Sequence, residues 1–73
     1  MEHIAAHITG MVWKIEVGPG EAVEEGQTLV ILESMKMEMP VDAETGGVVD
    51  AILCAEGESV DEGDVLVVLR TGS

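Results

Sequence analysis

The sequence contains no phenylalanine and no tyrosine, and its only aromatic residue is Trp13. A core built without aromatic rings must be aliphatic, and the valine and isoleucine available to fill it favour strands over helices. Basic residues are almost as scarce, with three Lys and Arg against 15 Asp and Glu and a formal charge of −12. Such a polyanion repels nucleic acid and anionic membrane, which argues against both as partners, and it keeps a small domain soluble and monomeric. Most of this acidity reads as a solvated face, with steering onto basic protein surfaces as a second use. Cys54 is alone, so no internal disulfide can form and a reducing cytoplasm is the expected setting. No apolar run approaches the roughly 18 residues of a membrane helix. Met1-Glu2-His3-Ile4 has neither the basic n-region nor the apolar h-region of a secretory signal. At 73 residues the chain is expected to form one domain, 1–73, near the lower limit for a self-sufficient core.

What is present is a repeat. Gly10 to Leu32 lies over Gly47 to Leu69 without a gap, at an offset of 37 residues. Gly10, Val12 and Ile15 fall on Gly47, Val49 and Ile52. Gly20-Glu21, Val23 and Glu25-Gly26 fall on Gly57-Glu58, Val60 and Glu62-Gly63. Leu29-Val30 and Leu32 fall on Leu66-Val67 and Leu69. Ile4-Ala5-Ala6 falls on Val41-Asp42-Ala43, which extends the halves to about 4–36 and 41–73. Two copies are too few for an open solenoid and suit a pseudo-twofold domain whose halves close one core. Each half reads as strand, turn, short strand, turn, strand, with apolar runs at 10–17 and 47–54 and again at 28–33 and 65–70. Gly18-Pro19-Gly20 and Ala55-Glu56-Gly57 supply turns, and no stretch has helical periodicity. The expected fold is all-β, a flattened barrel that protects most strand edges.

The repeat also isolates the stretch Glu33-Ser34-Met35-Lys36-Met37-Glu38. In the first half the last strand runs on through it into a further strand, whereas its equivalent in the second half is Thr71-Gly72-Ser73, the end of the sequence. One tip of the barrel is therefore expected to carry Lys36 and the opposite tip the chain ends. Lys36 is one of two lysines. A lysine amine is nucleophilic only when neutral, so an enzyme that modifies it must take its proton. Met35 and Met37 are adaptable side chains that a second protein could grip; Met-Lys-Met taken alone reads rather as a surface lysine beside two core methionines, and it is the rest of the chain that alters that balance. A tight turn at Met35-Lys36 calls for positive φ at non-glycine residues.

Gly10-x-Val12, Gly20-Glu21-x-Val23-x-x-Gly26-Gln27-x-Leu29, Leu32-Glu33-Ser34-Met35-Lys36-Met37 and Gly47-x-Val49 together resemble the biotinyl domains of biotin-dependent carboxylases. The resemblance covers nearly the whole chain and extends to free-standing single-domain biotin/lipoyl attachment proteins. It implies a barrel-sandwich hybrid of two four-stranded antiparallel sheets with the modified lysine in a β-turn. It implies that Lys36 receives biotin from a biotin protein ligase using biotinyl-AMP. The arm would then carry CO2 as carboxybiotin between biotin carboxylase and carboxyltransferase (or decarboxylase) subunits. The domain itself would catalyse nothing. Met35 and Met37 are typical of biotin acceptors, whereas lipoyl domains more often have an acidic residue before the lysine and alanine after it. Glu33 matches the motif and is a candidate for ligase recognition, with a plain rim charge as the other reading. Ser34 stands where alanine is usual, a small residue that turns tolerate. The turns around Gly18–Gly20 and Gly26 are too short for the inserted thumb of some biotinyl domains.

Other residues offer less. Lys14 lies inside a strand and reads as structural. His3 and His7 have no third ligand to complete a metal site. Asp61-Glu62-Gly63-Asp64 lacks the spacing of a calcium loop and is the repeat twin of Glu24-Glu25-Gly26-Gln27. Cys54 falls on Val17 and reads as core. No nucleophile–base–orienter set is present. Three functions stay open: a biotin carrier, a lipoyl carrier using lipoic acid, and an unmodified interaction module.

Overall fold

Runs rich in valine, leucine and isoleucine supply the longest of eight strands in the computed structural model, which describes residues 1–71. In chain order they are β1 (Glu2–Ala5), β2 (Gly10–Ile15), β3 (Ala22–Val23), β4 (Thr28–Ser34), β5 (Met37–Asp42), β6 (Gly47–Ile52), β7 (Ser59–Val60) and β8 (Val65–Arg70). They form two four-stranded antiparallel sheets, ordered β1-β8-β6-β3 and β5-β4-β2-β7. No helix occurs among the described residues. The expected all-β fold of two such sheets is therefore observed. β2 and β6 end at Ile15 and Ile52, two residues short of the apolar runs. The Ile15 N–H is taken by the Glu56 carboxylate rather than by a strand partner.

Each sheet draws two strands from each half of the repeat, so the halves interlock. The Gly20 N–H donates to the Val49 carbonyl at 2.7 Å, and its twin, the Gly57 N–H, donates to the Val12 carbonyl at the same distance. Gly26 to Ala43 and Gly63 to Ala6 form a second exchanged pair, each at 2.8 Å. Irregularities repeat as well. The register shifts between Val12 and Lys14 in β2 and between Val49 and Ala51 in β6. The turns are closed alike by side chains: Glu24 N–H donates to Gln27 Oε1 at 3.0 Å and Asp61 N–H to Asp64 Oδ2 at 2.9 Å. The Asp64 carboxylate thus serves its own turn.

The core lies between the sheets and is wholly aliphatic. Leu29, Leu32, Leu66, Leu69, Val12, Val30, Val49 and Val67 are its most deeply buried side chains, and no polar or charged residue is buried among those described. Full burial of each such side chain stabilises by about 1.5–3 kcal/mol. Trp13 is left outside at 45% exposure. The molecule is elongated, 39 × 19 × 18 Å. Glu2 pairs with Leu69, so the first and last strands lie side by side. The pseudo-twofold relation exchanges that end with the β4–β5 tip. Gly72 and Ser73, part of the expectation for the chain-end tip, lie outside the described residues.

Close backbone approach explains the glycine that opens β2. A Cβ on Gly10 would stand 2.6 Å from the Glu33 carbonyl oxygen, and one on its twin Gly47 would stand 2.7 Å from that of Arg70. Gly18, by contrast, has nothing within 4 Å of such an atom. Gly10→Ala is expected to destabilise the domain by about 1–3 kcal/mol through overpacking, with Gly18→Ala near neutral. Urea unfolding of the two variants measures the difference, and equal midpoints would contradict the close approach.

Candidate functional site

The β4–β5 hairpin carries the candidate site. Its ladder pairs Leu32 with Met39, Glu33 with Glu38 and Ser34 with Met37, leaving Met35 and Lys36 as a two-residue loop. Both hold positive φ, 53° and 66°, and they are the only non-glycine residues among those described that do so. This is the backbone signature of a type I′ turn, whose twist matches that of the flanking strands and which ordinarily takes Asn-Gly or Asp-Gly. Holding two ordinary side chains there costs about 1 kcal/mol or more each, and such strain persists only where surrounding structure imposes it. Here the fully buried Leu32 anchors the ladder beneath the loop.

The loop presents its side chains outward. Met35 is 91% exposed and Met37 56%, so the reading of these methionines as core is overturned. The two-residue turn carries Met35 out at the end of the hairpin, and Met37 opens β5 beside it. Lys36 is exposed between them. The only ion pair among the described residues is Lys14 Nζ to Glu16 Oε1 at 3.7 Å, so the amine of Lys36 is held by no carboxylate there. Glu33 and Glu38 stand directly opposite each other behind the loop, an unfavourable pairing of like charges. Ser34 is half-buried, and its Cβ lies 3.4 Å from where a side chain on Gly10 would begin.

The remaining candidates are dispersed. Lys14 lies on β2 and is paired with Glu16. His3 and His7 line an open cleft between β1 and β5 with Asp42 and Glu44. Among the described residues no three His, Cys, Asp or Glu side chains converge as metal ligands. Cys54 is half-buried against the core. Burial, and secondarily the Glu58 carboxylate, push its thiol up from the ordinary value, which keeps it protonated and a poor nucleophile. The exposure of Met11 and Trp13 was not anticipated. Its available signal is the repeat, which aligns Trp13 with the acidic Asp50.

Comparison with known proteins bears on this geometry. The family described as biotin-requiring enzyme, the biotin/lipoyl domain, matches residues 3–69. A biotin/lipoyl attachment protein of Bacillus subtilis is 44% identical over 49 residues, covering 67% of each chain. The biotin carboxyl carrier protein of acetyl-CoA carboxylase from Solanum lycopersicum is 41% identical over 49 residues, covering 67% of this chain and 70% of that one. Among solved structures, the urea carboxylase of Kluyveromyces lactis superposes with a TM-score of 0.90 at 38% identity, over 94% of this chain and 6% of that one. The lipoyl domain of the 2-oxoglutarate dehydrogenase complex from Azotobacter vinelandii gives a TM-score of 0.76 at 37% identity, over 89% and 82%.

The left-handed turn has a direct consequence for stability. Met35→Val puts a β-branched side chain at a positive φ and is expected to destabilise the domain by about 1–2 kcal/mol. Met35→Asn, suited to a type I′ turn, is expected to stabilise it by some tenths of a kcal/mol. Chemical denaturation of both variants checks the sign, and the reverse order would contradict the turn.

Proposed function

The chain belongs to the biotin-requiring enzyme family, and on that premise we propose that Lys36 is the residue through which it carries covalent biotin. The domain is a biotin carboxyl carrier and catalyses nothing itself. The observation that carries the assignment to Lys36 is its place in the two-residue turn, where a strained backbone presents the amine clear of the sheets. Those residues fit the group, since an exposed amine free of ion pairs among the described residues can form an amide with a carboxylic acid. When bound, biotin supplies a ring that takes up a carboxyl group at one enzyme site and gives it up at another.

In this proposal a biotin protein ligase provides the activated acid, biotinyl-AMP. The Lys36 Nζ loses a proton, bonds to the biotin carboxyl carbon and expels AMP. Met35 and Met37 flank the amine as adaptable contacts for the ligase, with Glu33 behind them and Ser34 keeping the base of the turn narrow. The domain then serves as a tether, raising the effective concentration of its ring at sites it can reach. This chain spans 6% of the urea carboxylase it resembles. Biotin carboxylase and carboxyltransferase (or decarboxylase) subunits are accordingly its proposed partners, in a single-domain monomer 1–73 set in the cytoplasm. No helix among the described residues is long and apolar enough to cross a membrane.

The likeness to a lipoyl domain supports a second reading, lipoate on the same lysine; the methionines on either side favour biotin. Incubating the protein with a biotin protein ligase, biotin and ATP decides between them. One biotin is expected to be added, peptide mapping is expected to find it on Lys36, and Lys36→Arg is expected to abolish incorporation. Label on Lys14, or acceptance of lipoate by a lipoate ligase but of no biotin, would contradict the assignment.

A further inference from the structure

The pseudo-twofold relation supplies an internal control, because two faces built to one plan should differ only where something besides folding acts. On the outer face of sheet β5-β4-β2-β7, strand β2 alternates from exposed Met11 to buried Val12, and the bulge that follows leaves both Trp13 and Lys14 exposed. Such a bulge re-aims side chains. Lys14, the neighbour of Trp13, pairs with Ile31 on β4, and Ile31 with Pro40 on β5, so Ile31 and Pro40 continue across the sheet beside the bulge that carries Trp13. On the twin face the positions of Met11, Trp13 and Lys14 are held by Val48, Asp50 and Ala51. The fold therefore works with aspartate at this bulge. The one aromatic residue of the protein lies instead on the sheet that bears the Lys36 hairpin.

We propose that this outer face, centred on Trp13, is the docking surface for the enzyme that acylates Lys36, a protein presenting an apolar patch edged with lysine or arginine. The inference rests on the attachment reading given above. Acylation needs the enzyme's reacting centre at Nζ itself, before any arm extends the reach of the lysine. A specific protein interface buries about 800 Å² on each partner, and the domain exposes 4304 Å² in all. A two-residue loop cannot supply a fifth of that surface, so the footprint spreads onto an adjoining face. The outer face of the hairpin's own sheet is continuous with the loop through Glu33 and Glu38. Those carboxylates and Glu16 edge Trp13, Ile31 and Pro40, and the Lys14 amine is paired with Glu16 at 3.7 Å. Charge complementarity therefore calls for a basic rim on the partner. Exposed tryptophan is the residue type that most often dominates such interfaces.

The test is steady-state acylation of the full chain by a biotin protein ligase with biotin and MgATP, read by intact mass. Trp13→Ala and Trp13→Asp, the latter copying Asp50, are expected to raise the KM for the domain about tenfold or more, with kcat changed less than about twofold. Asp50→Ala on the twin face is expected to leave both constants unchanged. Thermal unfolding of each variant separates docking from misfolding. Fluorine NMR of the wild-type sequence labelled with fluorotryptophan is expected to show its single resonance shift on addition of the ligase. Unchanged KM in both Trp13 variants alongside normal acylation of the wild type would overturn the docking face and leave the attachment reading intact. A resonance that shifts with the protein's own concentration, and not with ligase, would overturn it by assigning the face to a second copy. No acylation of the wild type would overturn the attachment reading itself, and the docking face with it.

Discussion

The interlock of the two halves is the constraint from which the rest follows. Because Gly20 and Gly57 each donate a backbone hydrogen bond to the other half, neither half can close its core alone. A chain of 73 residues with no buried aromatic side chain has little apolar surface to spend on folding. Exchanging strands between sheets lets the same few valines and leucines face one another across a single core. The interlock also fixes the β4–β5 ladder rigidly enough to hold Met35 and Lys36 in the left-handed region. The strain at the tip is thus sustained by burial far below it, at Leu32 and its neighbours.

Symmetry explains where function can reside. Turns, bulges and exchanged hydrogen bonds recur in both halves, and these belong to the fold. What stands apart is the Met35-Lys36 loop, the one place among the described residues where non-glycine residues hold positive φ, and Trp13, for which the second half has Asp50. Both departures lie on the sheet β5-β4-β2-β7. Among the described residues the many carboxylates do not converge into a metal-binding group. A carrier needs no more than this: one reachable amine, a turn of defined shape, and a surface by which its modifying enzyme can recognise the turn.

Much of this was legible in the sequence. The gap-free repeat gave the pseudo-twofold relation, and the absence of aromatic residues pointed to an aliphatic β core. The need for positive φ at Met35-Lys36 followed from the shortness of the turn. Strand partnership was not legible, because an offset shows which segments are equivalent and not which ones hydrogen-bond. That β8 lies between β1 and β6 depends on packing across the whole chain. The methionines were ambiguous because an unbranched thioether is at home both in a core and on a tip. The bulge at Trp13 escaped notice because one inserted residue shifts the alternation on which facing is judged, and the repeat conceals it by carrying the same insertion at Asp50.

The central claim is that Lys36 is a covalent biotin carrier in the cell that makes the protein. Intact mass of the protein purified from that cell, with peptide mapping of the hairpin, tests it most directly. The expected result is a population heavier by one biotinyl group located on Lys36. An unmodified Lys36 in biotin-replete cells with active ligase would contradict it, as would a lipoyl-sized addition at the same residue.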